Sequence, residues 1–175
     1  KNNEFIACQP ATLKFYWQCE VQANNLIRLG VSRNDIFYIF MTDGRTTDDT
    51  IPMKLKNKYG VNVYAYSDQR EPSEKAYIPS IKPYLLWQFF NHNTPMVPYD
   101  YFFMDSDVVF RDIPNFNLTP VSAKRWYGSD CSSYLDAGYI ESKGNDYIPN
   151  MAKVVGVPED VVYKFGYTDN FSHIG

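Results

Sequence analysis

The sequence has little of what builds disulfide frameworks or zinc sites. It holds three cysteines, Cys8, Cys19 and Cys131, with no Cys-x-x-Cys spacing. An odd, scattered set points to neither a disulfide scaffold nor a zinc knuckle. Each reads instead as a small buried hydrophobe, and a reducing, cytoplasmic compartment is expected. No apolar run approaches the ~20 residues of a membrane span. The start, Lys1-Asn2-Asn3-Glu4, lacks the apolar stretch of a signal peptide and lacks a Met, so the chain reads as a processed form or an excised fragment. Neither Gly-x-Gly-x-x-Gly nor Gly-x-x-x-x-Gly-Lys-Ser/Thr occurs, which leaves dinucleotide and P-loop binding without support. Net charge is −3 with acidic and basic residues interspersed. Without a basic stripe, nucleic acid is not an expected partner. Internal repeats and low-complexity tracts are absent too.

What is present is a large supply of core. The 175 residues are 45% apolar and include 15 Tyr and 12 Phe, which suits one packed domain spanning 1–175. Phe5-Ile6-Ala7-Cys8 predicts a buried strand, broken at Gln9-Pro10. Thr12 is placed to cap a helix reaching Gly30, with Tyr16, Cys19, Ala23, Leu26 and Ile27 on one face. Asp35 to Thr42 predicts a second strand, Thr50 to Tyr59 a helix stopped by Gly60, and Val61 to Tyr66 a third strand. Ser80 to Asn91 predicts a helix with Ile81, Leu85 and Phe89 as its stripe. This alternation of strand and helix predicts an α/β fold with a mostly parallel sheet. Further on, Lys124–Tyr127 and Tyr134–Glu141 read as strands, an antiparallel excursion, and Tyr147–Val155 and Pro158–Phe165 as short helices.

The richest stretch is Tyr99-Asp100-Tyr101-Phe-Phe-Met-Asp105-Ser-Asp107-Val-Val-Phe110. An apolar strand delivers two carboxylates to its end. If strand alternation continues, Asp105 and Asp107 share one face and Ser106 takes the other. Two like charges at such spacing repel unless a cation joins them. Hard oxygen ligands suit Mg²⁺ or Mn²⁺, which commonly hold phosphate oxygens as well. In open α/β sheets ligands bind beyond the carboxyl ends of the strands. That rule gathers Gln9, Asp43, Asp68 and the Asp105/Asp107 pair along one edge. A second chemistry fits the same string: four apolar residues before Asp-x-Asp-x-Val also resemble the first motif of haloacid dehalogenase-type phosphatases, where one Asp attacks phosphorus. That motif belongs on a first strand, whereas three predicted strands precede this one.

Three segments taken together carry a more specific resemblance. They are Ser80-Ile-Lys82-Pro-Tyr-Leu-Leu-Trp87, Asp105-Ser-Asp107-Val-Val-Phe-Arg-Asp-Ile113 and Asp130-Cys-Ser-Ser-Tyr-Leu-Asp136-Ala-Gly138. Over approximately residues 4–141 the chain resembles the metal-dependent glycosyltransferases of the A-type (GT-A) fold, above all the glycogenin-like and bacterial galactosyltransferase-like (family eight-like) group. The resemblance implies transfer of a hexose from a nucleoside-diphosphate sugar to an acceptor hydroxyl, with retention at the anomeric carbon. It implies Mn²⁺ or Mg²⁺ held by Asp105 and Asp107, with His173 as a further metal ligand. It also implies a donor site that includes Lys82, Ser106 and Asp136, and a nucleobase cradle of Cys8, Gln9 and Asp68. A carboxylate at Asp68 would accept the N3–H of uracil, which favours a uridine-linked donor. Asp136-Ala-Gly138 stands where that group has Asn-Ser-Gly, so the donor-sugar contact departs from the pattern. Asp130, Asp136 and Asp169 are the candidate catalytic carboxylates, any of which would serve as base in an inverting variant. The acceptor, whether glycan, lipid or protein, is not readable. The alternative is a catalytically incomplete module that binds nucleotide-sugars or a protein partner.

Overall fold

The computed structural model describes residues 3–96, 99–118, 120–122, 125, 127–128 and 137–166. The chain falls into two compact units, Lys1–Phe116 and Asn117–Gly175. The first unit is built on four strands: β1 (Asn3–Pro10), β2 (Ile36–Thr42), β3 (Asn62–Ser67) and β4 (Asp100–Phe103). Their order is β3-β2-β1-β4, and every pairing is parallel. The expected α/β class with a parallel sheet is therefore present. β1 and β2 are buried along nearly their whole length, which fits strands covered on both faces.

Strand alternation divides the core in two. Phe5, Ala7, Ile36, Tyr38 and Phe40 point to one face, where they meet Cys19, Ala23 and Leu26 of α1 (Leu13–Arg28) and Ile51 and Leu55 of α2 (Ile51–Tyr59). Ile6, Cys8, Phe37, Ile39 and Met41 point to the other. There they pack on Ile81, Leu85 and Phe89, after a four-residue α3 (Pro72–Lys75), from α4 (Ile81–His92). Helices thus cover both faces, and the periodic stripes foreseen for α1 and α4 are the buried ones. The glycine stop of α2 is also as expected: Gly60 has φ +66°, a left-handed conformation that ends a helix at little cost only for glycine.

Several expectations need correction. β1 is not broken at Gln9-Pro10 but runs through both, paired with Phe40 and Met41, and Thr12 stands at the N-cap of α1 without a side-chain capping bond. Strand β4 ends at Phe103, and Ser106-Asp107 lies in a turn closed by the Val108 N–H donating to the Asp105 carbonyl at 3.2 Å. The faces of Asp105 and Asp107 are thus set by a turn, not by a continuing pleat. The predicted strand Tyr134–Glu141 is overturned over its described part, because Ala137–Glu141 forms a short helix, α5. Around residue 124 the described residues show only a single antiparallel bridge, Ser122 to Arg125. In the second unit α5 is followed by α6 (Tyr147–Val155) and α7 (Glu159–Gly166), both at the places the sequence predicts. Ala137, Ile148 and Ala152 are buried there.

Candidate functional site

The sheet order creates one distinctive place. From β1 the chain moves to β2 and then to β3 on one side, and crosses back to add β4 on the opposite side of β1. In open parallel sheets such a reversal marks the crevice beyond the carboxyl ends of the strands where ligands bind, and here it falls between β1 and β4. Cys8 and Gln9 close β1 there, and Asp105, Ser106 and Asp107 follow β4.

On the α4 side of the crevice Lys82, in the first turn of α4, donates through Nζ to Asp105 Oδ1, an ion pair spanning 23 residues of sequence. Both side chains stay open to solvent, 42% exposed for Lys82 and 54% for Asp105. Beneath them lies Cys8, whose buried thiol is pushed up to about 12 by desolvation, with the Lys82 charge opposing that rise. This is an inert thiol. Asp107 is exposed and Ser106 buried, so the carboxylates face solvent and the hydroxyl between them faces inward.

On the α1 side a set of amides surrounds the same turn. Gln22 donates through Nε2 to the carbonyls of Asp105 at 2.8 Å and Val108 at 3.0 Å. Asn25 accepts from the Phe110 N–H at 2.8 Å and donates to the Phe110 carbonyl at 2.9 Å. Ser106 Oγ donates to Gln18 Oε1 at 2.9 Å. Gln9, only 2% exposed, keeps both amide atoms buried without a hydrogen-bond partner among the described residues. The site therefore has a charged α4 side and an amide-lined α1 side.

Asp68 is placed differently. It follows β3, the strand two places from β1 and three from β4, which puts it about 10 Å and 14 Å from them across the sheet at ordinary strand spacing. Both its oxygens are engaged by Arg70, Oδ1 with Nε and Oδ2 with Nη2, each at 2.9 Å. The guanidinium hydrogen bonds hold its carboxyl below the usual range. Asp43 follows β2 with φ +56° and accepts from Ser67 Oγ. His92, at the far end of α4, contacts the Tyr66 ring and the Gln88 carbonyl, a structural role. Asp130, Asp136, Asp169, His173 and Cys131 lie outside the described residues.

The structure thus brings together Cys8, Lys82 and the Asp105 turn. The amides Gln18, Gln22 and Asn25 were missed in the sequence. Their signal was there: an i, i+4, i+7 polar row along α1, with Gln22 set among Cys19, Ala23 and Leu26. As to metal, Asp105 and Asp107 are hard oxygen donors open to solvent, and no cluster of three or more ligating side chains occurs among the described residues. Such a pair suits a cation that keeps waters and takes phosphate oxygens for its remaining positions. No protein-family model matches the chain, and no curated protein matches it either.

Proposed function

We propose that the crevice between β1 and β4 binds the diphosphate of a nucleoside-diphosphate sugar, uridine-linked, and that the protein transfers the hexose to an acceptor hydroxyl. The observation that carries this reading is the meeting of Lys82 with Asp105 at the switch point of a parallel sheet. A cation and paired carboxylates at that place match an anion that arrives with a divalent metal. Asp105 and Asp107 would hold Mn²⁺ or Mg²⁺, which supplies charge neutralisation to the departing diphosphate. Lys82 would turn from Asp105 to a phosphate oxygen and share that load. The bond from the anomeric carbon to the diphosphate oxygen breaks, and a bond from that carbon to the acceptor oxygen forms. The acceptor proton leaves with the diphosphate in a retaining reaction. The amide of Gln9, which has no hydrogen-bond partner among the described residues, supports the nucleotide part, because a buried amide carries a donor and an acceptor that a base edge can meet.

The test is calorimetric titration of UDP with Mn²⁺ present, paired with thermal unfolding. Wild type should bind and gain stability. Asp107→Ala should abolish metal-dependent binding. Lys82→Met should weaken it by about tenfold, the size of one lost charge-assisted hydrogen bond. Lys82→Met should also leave the unliganded stability within about 1 kcal/mol, because the pair is exposed. Absence of binding by wild type with every nucleoside diphosphate tried would sink the reading. UDP-glucose hydrolysis then separates an enzyme from a binding module, and metal-dependent release of phosphate from p-nitrophenyl phosphate would favour a phosphatase instead.

A further inference from the structure

We infer that Gln18, Gln22 and Asn25 of α1 are positioning residues that hold the Asp105–Phe110 turn in its binding shape, so that metal–diphosphate affinity is set in part by α1. This rests on the reading of Asp105 and Asp107 as a metal–diphosphate site. Between Phe103 and Phe116 the chain has neither strand nor helix, so its backbone groups need partners from elsewhere. Gln22 and Asn25 supply them at Asp105, Val108 and Phe110, and Gln18 takes the Ser106 hydroxyl. The contacts span 83 to 88 residues of sequence and come from one face of one helix. Phe110 is fixed independently, its ring packed on Phe5 and Phe102 at 5.9 and 5.8 Å. The turn carrying the carboxylates is therefore tied beneath and at its exit, and its charged side chains remain outside.

The composition of α1 shows what Gln22 is for. It is fully buried beside Cys19, Ala23 and Leu26, and its Oε1 has no hydrogen-bond partner among the described residues. A buried amide with an idle carbonyl costs stability, and leucine would suit that stripe better. What only the amide provides is the two N–H bonds to the turn. Two carboxylates with a single residue between them repel, and a turn left to itself would relax them away from each other. A turn fixed from below keeps them placed for a shared cation at no ordering cost on binding.

The experiment compares Mn²⁺–UDP dissociation constants and unliganded melting temperatures for wild type, Gln22→Leu and Asn25→Asp. Gln22→Leu should melt close to wild type, because the gain from burying leucine is offset by the freed carbonyls of Asp105 and Val108, yet bind about tenfold or more weakly, the usual scale for losing a group that orients a metal ligand. Asn25→Asp keeps the acceptor for the Phe110 N–H and loses the donor to its carbonyl, and should bind with an intermediate loss. It decides the matter if Gln22→Leu does not fold. Wild-type affinity in the variants overturns the inference and leaves the functional reading standing. So does an affinity that falls only in step with melting temperature. A wild type that binds no Mn²⁺–UDP overturns both.

Discussion

At the scale of single residues, the amino-terminal end of β1 carries a group with a pH signature of its own. Glu4 is buried, and its Oε2 has no partner among the described residues. Burial first, and the charge of Asp35 second, push its carboxyl up from 4.5 to about 7. Between those values the folded chain keeps a proton that the unfolded chain has released. The favourable contribution is therefore complete below pH 4.5, declines as pH rises toward 7, and is gone above it. A displacement of that size corresponds to about 3 kcal/mol. Glu4→Gln removes the ionisation while keeping the shape. Urea unfolding should find this variant about 2–3 kcal/mol more stable than wild type near pH 8, and close to it near pH 4. A wild type and variant whose stabilities differ by the same amount at both pH values would contradict the assignment.

At the scale of elements, strands and helices were legible where periodicity and stop signals agree. β2, α2 with its Gly60 stop, α4 and α6 lie within a residue or so of their predicted spans. α5 was not legible, because Tyr139 and Ile140 suit a strand and Gly138 weakens a helix; its neighbours α6 and α7 override that local preference. Equally hidden was the organisation of the β3–α4 connection. Arg70 is buried there, pairs with Asp68, and donates through Nη1 to the carbonyls of Glu74 and Tyr77 and to Ser80 Oγ. One guanidinium thus fastens the loop that leads into α4 and so places Lys82. Arg70→Met would leave Asp68 as a half-buried carboxylate without its Arg70 partner and should destabilise by about 1–3 kcal/mol. Adding Asp68→Leu should restore part of that loss, since the pair is then replaced by apolar groups. Chemical unfolding of the single and double variants checks this; a neutral Arg70→Met would show that the pair holds nothing.

At the scale of the whole fold, the candidate site is a product of topology more than of any motif. The strings around Lys82 and Asp105 were readable, and so was their place at strand ends. What no local pattern contains is the side of β1 on which β4 adds. With β4 beside β3 the same residues would sit at a sheet edge far from Cys8 and Gln9. The observed order sets β1 between β2 and β4, so that the carboxyl end of β1, with Gln9, lies beside the exit of β4 into the Asp105 turn that Lys82 meets. A ligand bound there must act on segments distant in sequence at once. With UDP and Mn²⁺ at a hundredfold excess over the dissociation constant, folding should gain about 2.7 kcal/mol by mass action. Amide exchange should slow together at the end of β1, in the first turn of α4 and across the Asp105–Phe110 turn. The opposite end of the sheet, around Glu4 and Asp35, should show only the uniform protection that follows from greater global stability. Extra protection centred on that end, or confined to the neighbourhood of Asp68 and β3, would place the ligand away from the switch point and overturn the assignment of the crevice.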